Sequence, residues 1–176
     1  DTNILLGISA SIALYKAPTL VRRLRDEGAL VKVMLSSHAA QLVSPQVFEA
    51  VSDQRALVDE FQSSRESAMD HINLKNWAHF LLYYPATANL LGQLAHGLGP
   101  ELISTVFLAA NPNKVLICPA MNTDMYHHPV VQSNLELLRG MGSTIWEPGS
   151  GHLACGETGP GKLIEPEQLI QRMKEW

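Results

Sequence analysis

The chain has 176 residues, 46% of them hydrophobic and 17% charged, with a formal net charge of −4. That length favours one domain with its own core, and the composition excludes a disordered chain. No basic run points to nucleic acid, no apolar run is long enough to span a bilayer, and the start lacks the charged-then-apolar plan of a signal peptide.

Asn3–Ile8 reads as a first buried strand. The small residues Ser9, Ala10 and Ser11 follow, and Ile12–Glu27 then carries Ile12, Tyr15, Leu20, Val21 and Leu24 near helical spacing, with Gly28 as its stop. A helix start just after a strand has unpaired N–H groups that attract a phosphate. Only Gly7 is a glycine here, so a plain βα turn is an equal alternative. Ala29–Leu35 is a second strand, and Ser36-Ser37-His38 after it either touches a ligand or caps the next helix. Ser44-Pro45 opens a helix through Val47, Phe48 and Val51, with proline at the first helical position. Asp53–Met69 is more polar and reads as a surface loop. His71 follows; a lone histidine is usually structural or on the surface, and spacing alone does not promote it to catalysis. Trp77–Tyr84 reads as a third buried strand, and Pro85-Ala86-Thr87-Ala88-Asn89 as a small polar turn into a helix over Leu90–His96. Glu101–Ala110 is a further helix, carrying Ser104 and Thr105.

Lys114–Met125 (KVLICPAMNTDM) is the stretch around which the rest is arranged. It begins as a buried strand, breaks at Pro119, and offers Asn122 on a small-residue loop. Asn122 both donates and accepts without changing charge, and open α/β sheets bind ligands just past the carboxyl ends of their strands. His128-Pro129 opens a helix through Val131, Leu135 and Leu138, closed by Gly140 and Gly142, and Ser143–Trp146 is a last short strand. Gly149–Gly161 (GSGHLACGETGPG) has five glycines in thirteen residues and therefore little intrinsic order. It reads as a flexible cover over a site or as a disordered connector, and Cys155 in its middle favours the cover. Glu165–Trp176 is a final amphipathic helix.

Alternating strands and helices predict an α/β fold with a doubly wound parallel sheet and right-handed crossovers. Three strand ends with small or hydroxyl residues then converge on one rim. The two cysteines, Cys118 and Cys155, are expected as free thiols in a reducing cytoplasm. Without CxxC or HExxH spacing, no metal site is expected. The low charge content hints at oligomerisation.

Five segments, GISASIALYK, HINLKNWA, PATANLLGQLAHG with ELISTVFLA, PAMNTDMY and ACGETGPGK, run in order along the whole chain. Together they resemble the flavin-containing cysteine decarboxylases. The resemblance implies FMN, a Rossmann-like, flavodoxin-like three-layer sandwich over residues 1–176 with a flap around 147–163, and a homotrimer or dodecamer with the flavin at a subunit boundary. For the cofactor it implies Gly7, Ser9, Ser11, Ser36, Pro85, Ala86, Thr87 and Asn89, with Ser104 and Thr105 reaching the phosphate. It makes His71, Asn122 and Cys155 the catalytic residues, and Asn122, Met125, Ala154 and Lys162 the substrate contacts. The implied reaction is decarboxylation of 4'-phosphopantothenoylcysteine to 4'-phosphopantetheine in coenzyme A synthesis. The alternative is oxidative decarboxylation of a C-terminal peptidyl cysteine to an enethiol. Tyr126 stands where the family usually has tryptophan, Lys162 where it has arginine, and Tyr83-Tyr84 where it has smaller apolar residues.

Overall fold

The structure is a computed structural model describing residues 2–58 and 70–176. The part of the expected surface loop over 59–69 lies outside the described residues. Five strands, β1 (Asn3–Ile8), β2 (Leu30–Leu35), β3 (Phe80–Ala86), β4 (Val115–Pro119) and β5 (Thr144–Ile145), form one parallel sheet in the order β2-β1-β3-β4-β5. This is the flavodoxin-like order, and its switch point lies between β1 and β3. Leu57 forms a single parallel bridge on the outer edge of β2, because Leu57 N–H donates to Val33 and Leu35 N–H donates to Leu57.

Helices cover both faces: α1 (Ala17–Asp26), α2 (Ser37–Leu42), α3 (Pro45–Ser52), α4 (Asp70–Trp77), α5 (Ala88–Ala95), α6 (Leu102–Ala109), α7 (Thr123–His127), α8 (Pro129–Gly140) and α9 (Pro166–Met173). Alternation along β1 splits the core in two. Ile4, Leu6 and Ile8 pack with α1, α3 and α9, while Leu5 packs with α5, α6 and α8. Each fully buried aliphatic side chain contributes roughly 1.5–3 kcal/mol. The adjacent Tyr83 and Tyr84 point to opposite faces and bind a carbonyl on each side, Ile103 and Ile164, both at 2.7 Å.

Several expected boundaries move. The helix expected from Ile12 begins as a 3-10 turn, Ile12–Lys16, before α1. It stops at Gly28, whose φ of +86° suits glycine. Trp77 ends α4 rather than opening β3: Ala78 N–H still donates to Leu74 in helical fashion, and the Trp77 carbonyl is held by Asn3 Nδ2. Trp77 and Ala78 are separated from the apolar Phe80–Tyr84 only by His79, and no glycine or proline marks the helix-to-strand break. At its other end β3 continues through Pro85 and Ala86, which had been expected in the turn. The glycine-rich segment is not a structureless connector. It forms an antiparallel hairpin, β6 (Gly149–His152) and β7 (Thr158–Lys162). Among the described residues no helix is long and apolar enough to cross a membrane.

Candidate functional site

At the carboxyl end of every long strand a polar side chain caps the next helical turn. Ser11 accepts from Ala13 N–H, Ser36 from Ala39 N–H, Thr87 from Leu90 N–H, and Asn122 from Met125 N–H. These bonds satisfy donors left over at helix starts and fix the four side chains at the sheet's rim. The Asn122 carbonyl is used in its cap, so its amide nitrogen remains to donate. Buried Ser9 joins β1 to β3 at the switch point: its Oγ donates to the Pro85 carbonyl at 2.8 Å and accepts from Thr87 N–H at 2.9 Å.

Above the switch point lies a cavity of about 670 Å³. Its floor is Ala10–Ala13 with Tyr15 and Lys16, and its sides are Thr87, Ala88 and the loop Ala120–Asn122 with Met125. The hairpin forms its roof through His152–Cys155 and Gly161–Leu163. The hairpin is hooked onto the Asn122 loop, since Met121 N–H donates to Gly161 at 3.1 Å and Thr123 Oγ1 donates to Pro160 at 2.9 Å. Gly161 has a φ of +126°, and a Cβ there would meet the Met121 carbonyl oxygen at 2.1 Å. The segment that looked like a flap from its glycines is thus a flap anchored at its root, with Cys155 near its tip.

Charge gathers at one corner. Lys16 is 8% exposed, and its Nζ donates to Glu165 at 2.8 Å and to the Leu163 carbonyl at 3.3 Å. Lys162 Nζ lies 3.5 Å from the same Glu165 oxygen. The hydrogen bond from Lys16 holds the Glu165 carboxyl below its ordinary pKa, against partial burial that pushes it up. Both cysteines are free. Burial raises the thiol pKa of Cys118, which leaves it inert. Cys155 is exposed, and its Sγ lies 3.7 Å from Glu157 Oε2.

The model of the Flavoprotein family matches residues 1–176. The chain belongs to the Flavoprotein family. It is 41% identical over 97% of its length to the coenzyme A biosynthesis bifunctional protein CoaBC of Bacillus subtilis, and 42% identical over 95% to that of Escherichia coli. It spans only 42% and 41% of those two relatives. Among solved structures it is similar to a cysteine-to-serine mutant of PPC decarboxylase complexed with pantothenoylaminoethenethiol: 27% identity, TM-score 0.88, 99% of this chain and 97% of that one. It is also similar to the FMN-dependent cysteine decarboxylase SpaF, with 30% identity and a TM-score of 0.82 over 98% and 94% of the two chains.

In this flavoprotein the fold brings together Ser11, Thr87, Asn122, Met125, Ala154, Cys155 and Lys162 on one cavity. Gly7, Ser9, Pro85 and Ala86 lie beneath it in the strand ends, and Gly7 packs against the Tyr83 ring. Other expected residues do not line the cavity of this chain. Ser36 caps α2, Asn89 is exposed on α5, and His71 sits on the first turn of α4. Ser104 closes the capping box of α6, and Thr105 Oγ1 binds the Gly99 and Glu101 carbonyls. Lys16, His152 and Leu153 line the cavity without having been expected there. A lysine among apolar neighbours was the available signal for Lys16. Nothing in the glycine-rich segment marked His152 or Leu153.

The cavity's chemistry fits a flavin. Ala10, Ala13, Ala88 and Ala120 give small apolar walls for a flat ring, Ser11 and Thr87 give polar contacts for a chain, and the lysine corner attracts oxyanions.

Proposed function

We propose that residues 1–176 form one FMN-binding cysteine decarboxylase domain that converts 4'-phosphopantothenoylcysteine to 4'-phosphopantetheine in coenzyme A synthesis. The observation that carries this reading is a single cavity at the β1/β3 switch point faced by both Asn122 and Cys155. FMN, when bound, would supply the two-electron acceptor that no side chain provides and, after CO2 has left, would return the two electrons as hydride so that the product is the saturated thiol. Ser11, Thr87 and the strand ends at Ser9 and Pro85-Ala86 hold it in this reading.

The chain's own residues then have distinct tasks. The Asn122 amide donates to the substrate carboxylate and orients it without adding a positive charge that would oppose its loss. Met125 and Ala154 shape the walls around the cysteine portion, and Lys162 meets an anionic group of the substrate. Cys155 gives its S–H proton to carbon: the S–H bond breaks and a C–H bond forms, leaving a thiolate on the flap. The hairpin roof keeps water from the reacting carbon. His71, which lies off the cavity of this chain, acts on the substrate thiol from a neighbouring subunit. Ser36, Asn89, Ser104 and Thr105 complete the cofactor site at the same boundary. Exposed Leu98 and Leu108, beside the start and end of α6, are apolar surface that a homotrimer covers. The cytoplasm is the compartment this reading implies.

The test is mass spectrometry of products from two substrates. With 4'-phosphopantothenoylcysteine the expected loss is about 44 Da, the mass of CO2. A loss of about 46 Da from a peptide ending in cysteine, with no turnover of the small substrate, assigns the chain to peptide modification instead. Protein that binds no FMN overturns both.

A further inference from the structure

We propose that Glu165 is a positioning residue that holds the Lys162 ammonium at the cavity rim until an oxyanion of the ligand takes its place. The inference rests on the reading above in which Lys162 meets an anionic group of the substrate. Two ammonium groups share one carboxylate oxygen, but unequally. Lys16 contacts Glu165 Oε1 at 2.8 Å, within the range of a charge-assisted hydrogen bond, and is 8% exposed. Lys162 lies 3.5 Å from that oxygen and is 41% exposed, so its hold is the looser one.

The backbone around Lys162 is fixed on both sides. Before it, Pro160 and Gly161 are bound by Thr123 and Met121. After it, the Leu163 carbonyl is bound by Lys16. Only the side chain of Lys162 is left to change partners. Glu165 precedes α9 as its N-cap but makes no capping bond with its side chain, so helix initiation does not need its carboxylate. The corner carries a net charge of +1, from two lysines and one glutamate, on a chain of net charge −4. A carboxylate or phosphate entering the cavity satisfies that charge. Lys16 meanwhile keeps Glu165 in place, ready to take Lys162 back on release.

The test compares FMN-loaded wild type with E165Q. Trypsin cuts after Lys162, and the fragment ending there is followed by mass. Without ligand, E165Q is expected to be cut about five-fold faster, the ratio set by one partly exposed ion pair. Its KM is expected to fall by about the same factor, because the oxyanion no longer has to displace the carboxylate, with kcat changed less than about two-fold. 4'-Phosphopantetheine carries a phosphate and no carboxylate, and pantothenoylcysteine the reverse, so whichever restores wild-type protection identifies the oxyanion. Equal cleavage of the two proteins, no rescue by either ligand, or a fall in kcat at constant KM overturns the proposal. E165A, which also removes the bond from Lys16, must show the larger effect; a smaller one overturns it too. If the wild type releases no CO2, the functional reading fails, and the cleavage comparison still tests Glu165 separately.

Discussion

G161A tests whether the anchored flap root controls the site. With the hairpin held in place, the substitution puts a side chain at a φ of +126°, a strain of about 1–3 kcal/mol. It also drives a Cβ to 2.1 Å from the Met121 carbonyl oxygen, an overlap with backbone that no rotamer relieves, about 1–3 kcal/mol more. Lifting β7 instead gives up two hydrogen bonds, Met121 to Gly161 and Thr123 to Pro160. At about 0.5–1.5 kcal/mol each, that costs about 1–3 kcal/mol. Lifting is therefore the lower-energy response. G161A should keep its fold and bind substrate poorly, with KM up about tenfold. Hydrogen-exchange mass spectrometry should show the Met121 amide exchanging about tenfold faster or more. G140A is the control, because nothing lies within 4 Å of the added methyl group at the end of α8. Wild-type protection at Met121 together with a wild-type KM in G161A would refute the account of the flap.

S9A removes the hydroxyl that joins β1 to β3 and leaves the Thr87 N–H without its acceptor. Urea unfolding should show a loss of about 2 kcal/mol. C155S should still release CO2 but stop at the enethiol, about 46 Da below the substrate; a normal yield of 4'-phosphopantetheine would remove Cys155 from the proton-donor role. The Glu165 carboxyl titrates below its unfolded value of about 4.3, chiefly through the bond from Lys16. Its stabilising contribution is therefore present above that pH and lost as pH falls through the folded pKa. The stability difference between wild type and E165Q should accordingly be constant near neutrality and vanish in acid, as read from denaturant midpoints.

The sheet was legible because buried parallel strands are continuous apolar runs punctuated by small residues. Asn3–Ile8 was placed to the residue. The Trp77 error came from the same rule, since Trp77 and Ala78 read with the strand when no glycine or proline separates the end of α4 from β3. The hairpin was illegible for a different reason. Its strands GSGH and TGPGK show no apolar alternation, and their order comes from Met121 and Thr123, some forty residues earlier in the chain. Asn122 was legible from its place just past a buried strand and Cys155 from the glycine-rich segment around it, while motif likeness supplied their catalytic roles. For Lys16 the sequence held only the signal of a lysine among apolar neighbours, and packing then shows it buried. The serines and threonines at the strand ends show that a cap and a ligand contact need not exclude each other: Ser11 and Thr87 cap helices and also face the cavity.

Gly7 and Tyr83 are register partners on neighbouring strands, and a methyl group on Gly7 would fall 2.6 Å from the tyrosine ring. They share one volume beneath the cavity floor. Neither position is therefore free to drift alone: a descendant that enlarges residue 7 must shrink residue 83 in step. A library randomising the two codons together should recover compensated pairs that single-site scanning would discard.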